Sequence, residues 1–379
     1  MARNITGRID RLKRRRTGTD RLTQLTEDAR VDLLMKSLAS EAWQERAPST
    51  RPYTQYALGS MQEVGPDYTR VSVETAERVG KQLKAGLEGA GYSVDFRLQG
   101  SVPANLHIRG VSDVDLLNLQ AGFFTYATEG RRNKLGFYTN PTSRTSVDVL
   151  VELRSEAEKI LKAKFPAATV DCSGGKAINI SGGSLARPVD VVPSHWWDTI
   201  GYQASGQEHD RGVTILNKKI PATIDNLPFL HIKLINDRDA DVRGGLKKAI
   251  RLCKHVKNDA EEDGTKITLP SFDIAAIMYH ADQQGLAVGY FYELGILAET
   301  QRHLDFLARN QDEARKLSVP DGSRRIFDTE AKLAGLVALS LEMDDLMTEV
   351  AKEQAPQLGP TPNWSDSRKA LAKSLIPGV

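Results

Sequence analysis

The sequence is short of cysteine, of net charge and of long apolar runs, and each shortage removes a class of protein. Its only cysteines, Cys172 and Cys253, form no CxxC pair and no Cys/His cluster. Neither a disulfide scaffold nor a zinc site is therefore expected, and a reducing cytoplasm fits. No apolar run reaches the roughly 18 residues of a membrane-spanning helix. The N-terminus MARNITGRIDRLKRRRTGTDR has no apolar segment of the signal-peptide kind, so membrane association and export are not expected. With 51 Lys+Arg against 49 Asp+Glu the net charge is only +2, which disfavours a general polyanion binder and leaves local patches as the only source of attraction to nucleic acid.

One such patch is the N-terminal cluster Arg11, Lys13, Arg14, Arg15 and Arg16. A contact with nucleic acid or an acidic partner is one reading of it; a solvated or loosely docked tail is the preferred one. Familiar metal and phosphate motifs fail on inspection. Asp237, Asp239 and Asp241 imitate the start of an EF-hand loop, but Val242 stands where the loop needs Gly and Lys248 where it needs Glu. They read better as an acid-rich helix N-terminus. CSGGKA has the wrong glycine spacing for a P-loop, and the histidines lack metal-binding spacing, which leaves them as surface or packing residues. Gly59-Ser60 reads as a turn or structural contact.

What remains is an ordinary globular composition in 379 residues, 40% hydrophobic, enough for a large core or two lobes. Apolar spacing predicts helices over 21–42, 72–87 and 146–164, the last ending before Pro166. YSVDFRLQ alternates like a strand that runs into Gly100-Ser101, and Leu116, Leu117 and Leu119 look like a buried strand. ATVDCS, KAINIS and ARPVDVVP, separated by Gly-rich turns, predict an antiparallel meander. From about Asp237 the pattern is helical: Ala240–Asn258, Ser271–Gln283, Tyr290–Leu317 and Thr329–Gln354, then a surface tail with a short docked helix. The chain thus reads as α+β, with a front of residues 1–228 that includes the N-terminal helices and a helical back of residues 229–379.

The chemistry concentrates in QGSVPANLHIRGVSDVDLL, Gln99 to Leu117. On a strand Asp113 and Asp115 would share one face, and two like charges so placed need a cation between them. Mg²⁺ is a hard ion that binds through one or two carboxylates plus substrate phosphates. Asp190, in an apolar strand where an unpaired charge would be costly, is the best third carboxylate for a two-metal site. Gly100 lets a phosphate approach the backbone, Ser101 offers a hydroxyl, and Pro103 near a helix start would leave amides and a positive dipole end facing an anion.

A Gly-Ser turn, a D-x-D strand and a later V-D-V-V-P resemble the polymerase-β-like nucleotidyltransferases. GSxxxxxxIRGxSDVDLL and PVDVVPS ahead of a helical half resemble one branch in particular, the bacterial cGAS/DncV-like nucleotidyltransferases, also called SMODS oligonucleotide cyclases. The resemblance implies a bilobed fold, a mixed or antiparallel sheet core with an OAS-like helical lobe. Where many members have Gly-Thr-Ala after the turn, this chain has Asn105-Leu106-His107, so no role carries over for that threonine.

By the resemblance, Asp113, Asp115 and Asp190 are catalytic and hold two Mg²⁺, with Mn²⁺ as a substitute. Gln99, Gly100, Ser101, Lys254 and Ser271 bind the donor nucleoside triphosphate, ATP or GTP, in a cleft between lobes. Phe272 takes the base-stacking position. Lys247, Lys248, Arg251 and Lys257 rival Lys254, and His195-Trp196-Trp197 either borders the acceptor or packs the core. The implied activity joins triphosphates into a cyclic di- or trinucleotide with release of pyrophosphate. That product would be a second messenger for a separate effector in CBASS antiphage defence, made by a cytoplasmic monomer that needs no nucleic acid. Transfer to RNA, protein or a small molecule, and a silent nucleotide-binding scaffold, are the alternatives.

Overall fold

The computed structural model describes residues 4–19 and 41–377; the helix read over 21–42 lies almost wholly outside them. The chain forms two compact units, and neither is continuous in sequence. One comprises Gly65–Ala104 and Ser112–Leu234. The other comprises Asn105–Val111, Ile235–Val379 and the described part of Met1–Val64. The first helices therefore cluster with the later ones, whereas a single boundary between 228 and 229 places them in front.

The first unit is built on a mixed sheet of β1 (Val94–Gln99), β2 (Val114–Tyr126), β3 (Thr169–Asp171), β4 (Ile178–Ser181), β5 (Val189–Asp198), β6 (Gly212–Asn217) and β7 (Ala222–Asn226). The order is β1-β2-β5-β4-β3, with β6 paired to β5 and β7 to β6. The expected meander is present, since β3–β4 and β4–β5 are antiparallel. The other side of β5 lies parallel to β2. That pairing joins strands distant in sequence, which no local pattern reveals.

Two helices cover one sheet face. Pro66–Gly89 starts at Pro66 and presents Ala76, Val79, Leu83 and Leu87 at helical spacing. Ser146–Lys164 begins at a Thr145/Asp148 capping box. Beneath them lie Val114, Leu116, Ile178, Ile180, Val189 and Val191. Residues one step along those strands, among them Leu117, Leu119, Val192 and Trp196, form a smaller cluster on the opposite face, as period-two alternation requires. The buried Arg154 guanidinium donates to the carbonyls of Gly174, Gly175 and Ala177 at 2.7 to 3.1 Å. The CSGGKA loop thus turns carbonyls inward to a cation, the reverse of a phosphate-binding loop.

The helical unit is centred on Gly245–Glu262, whose buried residues run from Gly245 to Ala260. The continuous helix expected over 240–258 is in fact two. Pro228–Asp241 ends at a turn where Arg243 (φ 52°) and Gly244 (φ 87°) are left-handed, and Gly245–Glu262 follows. Asp237, Asp239 and Asp241 close the first helix instead of opening one. Asp239 still meets a helix N-terminus, because its carboxylate accepts the Lys247 amide at 2.8 Å. The Tyr290–Leu317 stretch likewise divides into Leu294–Arg309 and Gln311–Lys316, and Ser271–Tyr279 stops short of Gln283. Gly59 and Ser60 sit inside the Pro52–Met61 helix, where a Cβ on Gly59 would lie 2.8 Å from Trp43 and 2.9 Å from Leu12.

The N-terminal basic cluster is neither a loose tail nor an open patch. On helix Ile5–Thr17, Arg15 forks onto the buried Asp259 at 2.8 Å, Arg11 reaches Asp259 and Asp263, and Arg8 bridges Asp263 and Glu342. The Tyr56 hydroxyl donates to Asp259 at 2.6 Å, and burial together with that carboxylate pushes the phenol well above its ordinary value. Among the described residues no helix is long and apolar enough to cross a membrane.

Candidate active site

The turn that follows β1 sets the first element of the site. Gly100 has φ 78°, and a Cβ placed there would lie 2.2 Å from Asp115 Oδ2. Only glycine satisfies both conditions, the left-handed backbone and the close approach of the carboxylate. Ser101 is half-buried beside it, and residues 100–105 continue as turns. The helix expected near Pro103 is absent, so any anion held here would meet turn amides and the Ser101 hydroxyl rather than a helix dipole.

Asp115 is the second residue of β2, and its register partner on the parallel strand β5 is Asp190. Register partners share a face, and strands lie about 4.8 Å apart. The flanking Val114, Leu116, Val189 and Val191 are in the core under the helices, so both carboxylates point to the other face. The row extends in both directions: Gln99 of β1 is opposite Asp115, and Asn179 of β4 is opposite Asp190. Asn179 Nδ2 donates to Asp190 Oδ1 at 2.8 Å. Four polar residues on four adjacent strands thus line up in one row across the sheet. Asp113 lies just ahead of β2, outside the regular strand, so it joins Asp115 through chain proximity rather than through the strand alternation that the sequence suggested.

Among the described residues no group of three or more His, Cys, Asp or Glu is drawn together closely enough to hold a metal ion. The donor chemistry nevertheless suits a hard divalent cation. The two register-paired carboxylates offer only oxygen, and Mg²⁺ commonly completes its shell with water and substrate phosphates.

In the helical unit, Lys254 is buried on Gly245–Glu262, and its Nζ donates to the Leu106 carbonyl at 2.6 Å. Its neighbours are cationic. Burial holds Arg251 down to about 10, and its guanidinium donates to the carbonyls of Met61 and Asn105 at 2.9 Å. Burial, with Arg15, Arg16, Lys254 and Arg251 nearby, keeps His255 well below the usual imidazole value. The rivals Lys248 and Lys257 are paired with Glu293 and Glu261. Asn105, the first residue of the Asn105-Leu106-His107 departure, adopts φ 54° and donates to Glu63 at 2.7 Å. Asn is one of the few residues that tolerate this conformation, which explains how the departure from Gly-Thr-Ala is accommodated.

Ser271 and Phe272 open the Ser271–Tyr279 helix and are exposed. The next residue braces them: Asp273 is fully buried, paired with Lys332 at 2.8 Å and with Arg324, whose guanidinium lies 5.3 Å from the Phe272 ring centroid. The His195-Trp196-Trp197 segment belongs to β5 itself. His195 is buried, its Nδ1 is 2.9 Å from the Trp196 carbonyl, and burial lowers its pKa. Trp196 packs near Phe229 and under Arg211. His195 and Trp196 are packing positions. Sequence reading missed Asn179, although a polar residue between two core isoleucines opposite the Asp190 strand is a legible signal.

A Gly-Ser turn pressed against one carboxylate of a cross-strand pair, in a chain with a second, helical unit, has the features of a nucleotidyltransferase. Comparison with known proteins narrows the class. Residues 233–341 match the model of the cGAS/DncV-like nucleotidyltransferase C-terminal helical domain. The chain is 43% identical over 360 residues to the cyclic dinucleotide synthase CdnE of Yersinia aleksiciae, covering 92% of this chain and 93% of that one. It is 33% identical over 243 residues to a c-di-GMP synthase of a Lachnospiraceae bacterium, 59% and 68% covered. The solved STING-associated CdnE c-di-GMP synthase from Flavobacteriaceae sp. superimposes with a TM-score of 0.69 at 25% identity, covering 92% of this chain and 99% of that one. The chain belongs to the cGAS/DncV-like nucleotidyltransferase family, which places it one step more finely than the site alone.

Proposed function

We propose that this protein joins nucleoside triphosphates into a cyclic di- or trinucleotide and releases pyrophosphate. The observation that carries the reading is the Asp115–Asp190 register pair with Asp115 seated against Gly100, in a chain similar over nearly its whole length to a cyclic dinucleotide synthase. Asp113, Asp115 and Asp190 would hold two Mg²⁺. Such ions, when bound, lower the pKa of an attacking hydroxyl and neutralise charge on the phosphates.

The chain's own groups do the rest. The Gly100 turn and Ser101 hydroxyl orient the donor phosphates, and the three carboxylates fix where positive charge gathers. Lys254 and Ser271 serve the triphosphate, and Phe272 offers an exposed ring on which a base stacks. A ribose hydroxyl of the second nucleotide attacks the donor α-phosphorus as pyrophosphate leaves, its proton passing to the Asp190 side of the site or to water. A second such attack within the linear intermediate closes the ring. The product would act as a second messenger on a separate effector in antiphage defence.

The test is incubation of purified protein with all four NTPs and Mg²⁺ or Mn²⁺, followed by mass spectrometry of phosphatase-resistant products. A cyclic product supports the reading. Activity only on added RNA, protein or small-molecule acceptors, or none from folded protein, would replace it.

A further inference from the structure

The polar row across the sheet contains one residue with no role so far. Asn179 sits between Ile178 and Ile180, both fully buried in the core, and its own side chain projects to the opposite face, where it donates to Asp190 Oδ1 at 2.8 Å. The two residues are direct partners in the β4–β5 ladder, so the bond spans neighbouring strands without distortion of either. β4 is in turn held in place. Arg154, buried on the helix behind the sheet, binds the carbonyls of the loop that leads into it, and β3 pairs its outer edge.

We propose that Asn179 is a positioning residue for the third carboxylate: its amide fixes the rotation of Asp190 and so sets the affinity for the divalent cation. The inference rests on the reading of Asp190 as a metal ligand. An ionised carboxylate only accepts hydrogen bonds and has about four lone-pair directions. One donor on Oδ1 stops it from rotating and leaves Oδ2 and the rest of Oδ1 for a cation. The donor also offsets repulsion from Asp115 in the next strand, which makes the close pair tolerable before any cation arrives. Partners that orient metal ligands typically change metal affinity about 10- to 100-fold when removed.

The experiment titrates Mn²⁺ into the full-length protein and reads free Mn²⁺ by electron paramagnetic resonance, with thermal melting as a check on folding. Asn179→Leu keeps the branched outline and loses the donor; Asn179→Ser keeps a donor. The proposal expects Mn²⁺ affinity to fall roughly tenfold or more in Asn179→Leu and to be largely retained in Asn179→Ser. It also expects turnover in Asn179→Leu to recover as Mn²⁺ is raised. If Asn179→Leu melts early, the comparison passes to Asn179→Ala against Asn179→Ser. Folded donor-less variants that bind Mn²⁺ like the parent, or a serine variant as weak as the donor-less one, overturn the proposal. Asp190→Asn, run in parallel, separates the two levels. Lost binding there with parent-like Asn179→Leu rejects only the role of Asn179, whereas parent-like binding in both rejects the metal reading beneath it.

Discussion

Replacing Gly100 with alanine probes the site without removing any functional group. Two costs arise from the geometry. The residue has φ 78°, and a non-glycine residue in the left-handed region costs about 1 to 2 kcal/mol. The new Cβ would also lie 2.2 Å from Asp115 Oδ2, where ordinary contact begins at 3.4 Å, so the carboxylate must move by about an ångström, a displacement that can cost roughly 10²-fold in rate. The two costs can be separated, because Gly91 has φ 87° in the same unit, and a Cβ added there would meet nothing within 4 Å. Gly91→Ala should thus reproduce the backbone strain alone. Differential scanning fluorimetry is expected to show similar losses of a few degrees in both variants. Steady-state synthesis of the cyclic product should fall about 10²-fold in Gly100→Ala and little in Gly91→Ala. Parent-like turnover in a Gly100→Ala protein that melts like Gly91→Ala would refute the claim that Asp115 is seated by this glycine.

Three further outcomes follow from other parts of the molecule. Asp259→Asn strips the buried carboxylate that Arg11, Arg15 and Tyr56 share; stranding a buried cation costs about 3 to 5 kcal/mol, so urea unfolding should shift strongly, and an unchanged midpoint would show that the network is not structural. His303 is buried with Nε2 on the Ile277 carbonyl at 3.0 Å, and burial lowers its pKa from 6.5 to about 4. Below pH 6.5 the unfolded chain takes up the proton first, so stability is full above that pH and falls as pH drops towards 4. The loss at pH 5 is about 2 kcal/mol, and His303→Gln should reduce the difference between unfolding at pH 7.5 and pH 5; an equal pH dependence in both proteins counts against it. Phe272→Ala should raise KM for the donor triphosphate roughly tenfold, since base stacking is worth about 1 to 3 kcal/mol, while Phe272→Tyr stays near the parent; unchanged KM in the alanine variant removes Phe272 from the site.

Local patterns were enough for much of the sheet. Alternation located β1 and the β3–β5 meander, an apolar run located the first half of β2, and apolar spacing with a following Pro bounded Ser146–Lys164. The left-handed break at Arg243-Gly244 was missed because apolar spacing continues through it, and the periodicity records the buried face rather than the turn. β6 and β7 went unread because one is a short apolar run and the other a largely exposed edge. The arginines of the first helix read as a solvated tail because their partners, Asp259, Glu262 and Asp263, are more than two hundred residues away in sequence.

The sequence by itself determined the inventory of the site: a glycine and serine in a turn, two aspartates one residue apart, a third in an apolar strand, and the resemblance these carry. Those are properties of residue type and short spacing. The tertiary structure decided which of them meet. The parallel pairing of β2 with β5 puts Asp115 beside Asp190, the φ of Gly100 seats Asp115 against the turn, and the β4 ladder delivers Asn179 to Asp190. Strand register between distant segments is fixed by which side chains the helices bury, and that is settled only when the whole sheet packs.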